Sequence, residues 1–83
     1  MNIKLRLYAT LRSYLPPDAA AGQVSLQLPE AATIPDALAR LGVPVALAHI
    51  VLINNRHVLR DDIAVRKLGE GDELAVFPAI GGG

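Results

Sequence analysis

The sequence contains no cysteine and no tryptophan, a single phenylalanine and two tyrosines. Without a thiol there is no disulfide framework, Cys-bound zinc, iron–sulfur cluster, thiol nucleophile or persulfide. Neither sign of charge is in excess: eight Lys and Arg balance eight Asp and Glu, so no overall field draws the chain to nucleic acid or an anionic membrane. Long apolar runs are missing too. Met1 to Leu7 alternates charged and apolar side chains, unlike a signal peptide or membrane span, and a cytoplasmic protein is expected. What is present is a 52% apolar composition of Leu, Val, Ile and Ala, which suits a packed globule better than a disordered chain. Eighty-three residues allow one domain with a modest core but no cleft between two lobes. Catalysis is therefore expected to be shared with a partner, the chain not being an enzyme alone.

Ile3, Leu5 and Leu7 alternate with Lys4, Arg6 and Tyr8, the period of a half-buried strand, predicted over residues 2–9. A loop with Pro16, Pro17, Asp18 and Gly22 follows. Val24, Leu26 and Leu28 then form a second strand, ended by Pro29. Thr33 is suited to cap a helix, with Pro35 in its first turn and Asp36 at its third position, and Ile34, Leu38 and Leu41 share one face. That helix is predicted over 34–41 with its stop at Gly42, Pro44 opposing continuation beyond one further turn at 45–49. The run Ile50 to Ile53 reads as a central strand buried on both faces. Asn54-Asn55 suits a left-handed turn, leading to a short strand over 56–59 and a charged surface excursion over 60–67. Gly71-Asp72 is a second turn before the strand Glu73 to Phe77, which Pro78 terminates. Two strands, a helix and three strands describe an α+β roll, with a domain over 1–77 and a tail over 78–83.

Side-chain constellations offer little chemistry. His49 and His57 lie without cysteines or paired carboxylates at ligand spacing, so no metal site is expected. Asp61-Asp62 and Asp72-Glu73 are adjacent carboxylates, which on extended chain point to opposite sides, and are read as turn and surface charges. Gly69-Glu70-Gly71 lacks the Lys and Ser or Thr of a phosphate loop. The basic residues Arg56, Arg60, Arg66 and Lys67 have no interleaved aromatics for base stacking; they read as a solvated face, with docking to an acidic partner as the alternative. Tyr8 and Phe77 fall outside the buried alternations of their strands and are expected in an exposed apolar patch.

The tail remains. Three glycines after a Pro-ended strand have nothing to bury, and ordering residues costs roughly 1–2 kcal/mol each, so a mobile tail is expected. Residues 78 to 83 reach about 20 Å at roughly 3.3–3.6 Å per residue. Gly81, Gly82 and Gly83, without Cβ atoms, can pass a channel too narrow for other residues. An α-carboxylate at neutral pH is a poor acyl donor, so any acyl chemistry at Gly83 needs activation, most simply as an adenylate made by a partner from ATP. A bare glycine run is equally the composition of a frayed end.

The stretch Leu68-Gly69-Glu70-Gly71-Asp72-Glu73-Leu74-Ala75-Val76-Phe77-Pro78-Ala79-Ile80-Gly81-Gly82-Gly83 resembles the ending of the MoaD/ThiS-type sulfur carriers, with Leu-x-x-Gly-Asp-Glu, a strand, a Pro-containing apolar link and terminal glycines. Ile3 to Leu15, especially Tyr8-Ala9-Thr10-Leu11-Arg12, and Val51 to Val58 extend the likeness over most of the domain. The resemblance implies a ubiquitin-like β-grasp roll, a mixed sheet with one main helix. It implies no bound cofactor, a Gly83 carboxylate adenylated by a ubiquitin-activating-like partner using ATP, conversion to a thiocarboxylate by a sulfur donor, and sulfur donation. Gly82 and Gly81 become the slender neighbours of Gly83, and Tyr8, Phe77 and Ile80 the partner contacts. Tyr8 to Arg12, Phe77-Pro78 and Ile80 are similar to the molybdopterin-synthase small subunit, which would pair with that enzyme's large subunit. The spacing from Asn54 to Asp72 and the triple glycine are similar to the thiamine-pathway carrier, which would pair with thiazole synthase. His57 departs from both, where an apolar residue is usual. The molybdopterin acceptor is the favoured expectation; a protein modifier joined to lysines through Gly83 is the alternative of another class.

Overall fold

The computed structural model describes residues 1–79; Ile80, Gly81, Gly82 and Gly83 lie outside the described residues. Strands β1 (Asn2–Leu7), β2 (Gln23–Gln27), β3 (Ile50–Ile53), β4 (Arg56–His57) and β5 (Glu73–Phe77) and helix α1 (Ile34–Arg40) follow one another as β1-β2-α1-β3-β4-β5. They form one mixed sheet in the order β2-β1-β5-β3-β4. β1 and β5 are parallel neighbours at its centre, and the remaining pairs are antiparallel.

Helix α1 is set by its cap. Thr33 Oγ1 accepts from the Asp36 N–H, and the Asp36 carboxylate accepts from the Thr33 N–H, with Pro35 in the first turn. These bonds satisfy donors that the first turn leaves without helical partners. At the other end Gly42 takes φ +76°, a left-handed conformation that costs glycine little and closes the helix. Ile34, Ala37 and Leu38 point into the sheet, where they meet Ile3, Leu5, Leu7, Val51, Ile53, Leu74 and Val76. Full burial contributes about 1.5–3 kcal/mol for each large aliphatic side chain, so this one-sided core is what holds helix to sheet.

The sequence reading holds for element order; α1 stops at Arg40 and β4 at His57, short of the expected 41 and 59, and four further differences bear on the site. First, β1 ends at Leu7, because Ala9 adopts φ +52° and a 3₁₀ turn over Ala9–Tyr14 takes over, burying Leu11. Second, β2 runs from Gln23 to Gln27, one residue earlier than its apolar alternation suggested. Third, β3 is interior to the sheet, paired with β5 on one side and β4 on the other, but it is not covered on both faces: Ile50 is exposed while Val51 and Ile53 are buried. A single helix covers only one side of a five-stranded sheet. Fourth, the excursion over 60–67 is not wholly superficial, since Ile63 returns to the core. Asn54 and Asn55 take φ +52° and +68°, the left-handed pair required to turn β3 into β4. No helix among the described residues is long and apolar enough to cross a membrane.

Candidate functional site

The alternation that buries Ile3, Leu5 and Leu7 sends Lys4, Arg6 and Tyr8 to the opposite, uncovered face of the sheet. On β5 the same rule turns Glu73, Ala75 and Phe77 that way, and on β3 Ile50 and Leu52. Strand register arranges these residues in rows. Phe77 lies opposite Ile50, and the parallel β1–β5 ladder runs up to Leu7 and Val76, so the next position places Tyr8 beside Phe77. The Tyr8 N–H donates to the Val76 carbonyl at 3.2 Å, which carries the pairing past the formal end of β1. On the far side, the Val58 N–H donates to the Val51 carbonyl at 2.8 Å, extending β3–β4 pairing and setting Leu59 in phase with Ile50. The outermost row is thus Tyr8, Phe77, Ile50 and Leu59. The next is Arg6, Ala75, Leu52 and His57, and below it lie Lys4 and Glu73.

Tyr8 and Phe77 are both half-buried, and their rings stack with centroids 4.1 Å apart and planes at 11°. The two rings therefore cover each other in part while leaving a flat apolar outer surface. The Phe77 carbonyl accepts from the His49 N–H at 2.9 Å, so the strand is held up to the residue before Pro78. Residues 78 and 79 leave from this edge of the apolar row. Arg6 borders the row: its guanidinium donates to Gln23 Oε1 at 2.8 Å. Its pKa is raised from the ordinary arginine value, chiefly by the Tyr8 hydroxyl beside it and less by the Glu73 carboxylate. The open face accordingly grades from apolar, at the end where the tail departs, to charged at the other.

The residues singled out in the sequence separate clearly. Tyr8 and Phe77 come together in one stack, whereas Ile80 and the three glycines lie outside the described residues. His57 is exposed on the open face opposite Leu52, and His49 is exposed with Nδ1 3.3 Å from Arg60 Nη2. No group of three or more His, Cys, Asp or Glu among the described residues is placed to hold a metal ion. Asp72 has a structural role in a turn: its carboxylate accepts from the Gly69 N–H at 2.7 Å and from the Asn54 side-chain amide at 3.0 Å. Sequence reasoning missed Ile50, Leu52 and Leu59 as members of the open face. In a run of four apolar residues no alternation distinguishes one side from the other, and Leu59 lies beyond the two paired residues of β4.

A mixed five-stranded sheet with one main helix across one face defines a ubiquitin-like β-grasp domain. The chain belongs to the Mut7-C ubiquitin family, whose model matches residues 1–81. No curated protein sequence matches it. Among solved structures it is similar to SAMP1 from Haloferax volcanii, at 27% identity and a TM-score of 0.67 over 100% of both chains. It is also similar to the Haloferax volcanii HVO 2177 protein, at 27% identity and a TM-score of 0.73, over 100% of this chain and 87% of the other. A Pyrococcus furiosus protein assigned as molybdopterin converting factor, subunit 1, shares the fold at 20% identity and a TM-score of 0.63, over 95% of this chain and 98% of its own. These likenesses are consistent with the MoaD/ThiS-type relation implied by the sequence.

Proposed function

We propose that the chain is a sulfur carrier whose acyl group, with Gly83 ending the chain, is the Gly83 carboxylate. The observation that carries this reading is the position of the Tyr8–Phe77 stack: an apolar surface at the very end of β5, six residues from Gly83. A partner held on that row has the tail within reach of its own active site. The partner is a ubiquitin-activating-like adenylyltransferase. In the first step a Gly83 carboxylate oxygen attacks the α-phosphorus of ATP, and pyrophosphate leaves. In the second, a hydrosulfide ion supplied by the donor attacks the acyl carbon, its proton is lost, the bond from that carbon to the phosphate oxygen breaks and AMP leaves, giving the thiocarboxylate with no change of oxidation state. That sulfur is then passed to an acceptor, for which molybdopterin synthesis is the preferred pathway and thiamine thiazole synthesis the alternative. Tyr8 and Phe77, with Ile80, supply docking; they form no bond in either step. ATP is consumed by the partner and no cofactor is bound by the carrier.

The test is intact mass after incubation with the activating enzyme, ATP and a sulfur donor. The expected product is heavier by about 16 Da, sulfur replacing one oxygen by this end-group chemistry. Deleting Gly83 abolishes the gain and leaves thermal stability nearly unchanged. If the deletion still gains sulfur, or the full chain never does, the carrier reading is wrong. A second reading is favoured by one specific likeness, to the Haloferax volcanii small archaeal modifier protein 1, at 28% identity and a TM-score of 0.66. In that reading the same activated Gly83 acylates lysine amines, and the product is found as conjugates with other proteins and not as a thiocarboxylate.

A further inference from the structure

Among the described residues, the large apolar side chains left exposed are Val45, Leu47, Ile50, Leu59 and Val65, and all of them come from residues 45–65. Leu59 and Val65 are 64% and 68% exposed, too open to contribute much to the core. Ile50 and Leu59 belong to the apolar row of the open face. The others lie round the β3–β4 edge of the sheet, where a 3₁₀ turn over Val45–Leu47 faces the segment after β4. Between them is a groove of about 150 Å³ lined by Val45, Ala46, Ala48, Arg60, Ile63 and Ala64. Its floor is buried Ala48 and Ile63, and its walls are small or apolar except for Arg60. Chain neighbours join the two surfaces: Ala48 precedes His49 and Ile50, and Leu59 precedes Arg60. The Arg60–His49 contact at 3.3 Å lies at the junction. Clustered exposed apolar surface on a small domain marks a place that something covers.

Charge indicates what covers it. The whole chain is neutral, yet residues 45–67 hold four of its eight Lys and Arg and only two of its eight Asp and Glu. Arg56, Arg60, Arg66 and Lys67 are all exposed. Arg60 is the one charged residue lining the groove, and a second copy seated by the same groove would set Arg60 against Arg60, which opposes self-association. A surface with apolar side chains ringed by carboxylates would be matched in both respects. We propose that the docking surface continues from the Tyr8–Phe77 row over the β3–β4 edge into the Val45–Ala64 groove, and that the groove takes an apolar element with acidic flanks on the activating partner.

This rests on the carrier reading, and its test separates the two. The probe is the ubiquitin-activating-like adenylyltransferase encoded in the same genome, assayed by carrier-dependent ATP–pyrophosphate exchange. Val45→Ser, Ala64→Glu and Arg60→Glu are compared with the wild type, thermal unfolding confirming that each is folded. The expected result is a KM for the carrier raised about tenfold or more with kcat unchanged, because the variants weaken docking and leave the tail intact. Raising salt should weaken wild-type docking more than that of Arg60→Glu. If the folded variants keep the wild-type KM while Phe77→Ala loses affinity, the groove has no part in docking and only this proposal falls. If the wild type supports no exchange, the carrier reading fails and the groove proposal fails with it.

Discussion

Replacing Tyr8 and Phe77 by alanine, singly and together, measures whether the apolar row is preformed. The rings stack at 4.1 Å and 11°, and such pairs are worth about 0.5–1.5 kcal/mol beyond the area they bury. Each ring is only half-buried, so the solvent-exclusion part of a single replacement is about half of the roughly 1.5–3 kcal/mol for full burial. Each single variant should thus lose about 1.3–3 kcal/mol once the lost stack is included. The double variant should lose less than the sum by the stacking energy, since the second ring has no partner left to lose. Urea unfolding followed by far-UV circular dichroism provides the values, and equal slopes among the four proteins license the comparison. A strictly additive cycle would refute the reasoning: the two rings would then not touch in solution, and the flat surface attributed to them would not exist before a partner arrives.

Leu74→Ala, three residues before Phe77 but on the covered face at 1% exposure, should cost about 2–5 kcal/mol; at about 4–8 °C per kcal/mol for a domain of this size, calorimetry would show a large fall in Tm. Thr33→Ala should destabilise the fold by about 1 kcal/mol through loss of the helix cap, and adding Asp36→Ala should cost little more in unfolding experiments because the two bonds form one box. Gly71→Ala should lose about 1 kcal/mol although a Cβ would meet nothing within 4 Å, because φ +80° is the whole penalty; a wild-type Tm would contradict this. If the carrier reading holds, all three should gain sulfur at Gly83 to the wild-type extent when assayed below their Tm, since none of these side chains lies on the open face or the tail.

Legibility differed with the kind of signal. Thr33, Pro35, Asp36 and Gly42 bounded the helix because caps and left-handed turns are local chemistry, resolved within four or five residues. Asn54-Asn55 and Gly71-Asp72 marked their turns for the same reason. Ile3 to Leu7 declared its covered side because charged residues alternate with aliphatic ones. Absence of cysteine and the Gly81-Gly82-Gly83 ending, read with the Leu68 to Phe77 motif, directed attention to the carboxylate without any knowledge of the fold. In β3, by contrast, Ile50 to Ile53 is apolar throughout, and nothing in the run tells which side the single helix covers. That was decided by long-range packing: one helix covers one side of the sheet, and the register of β3 with β5 puts Val51 and Ile53 on that side and leaves Ile50 and Leu52 on the open one. The Tyr8–Phe77 stack, the alignment of Ile50 with both, and the groove between Val45 and Ala64 likewise join residues far apart in the chain. Local sequence determines how each segment turns and which atoms it carries; only tertiary packing determines which of its apolar side chains are left for a partner to cover.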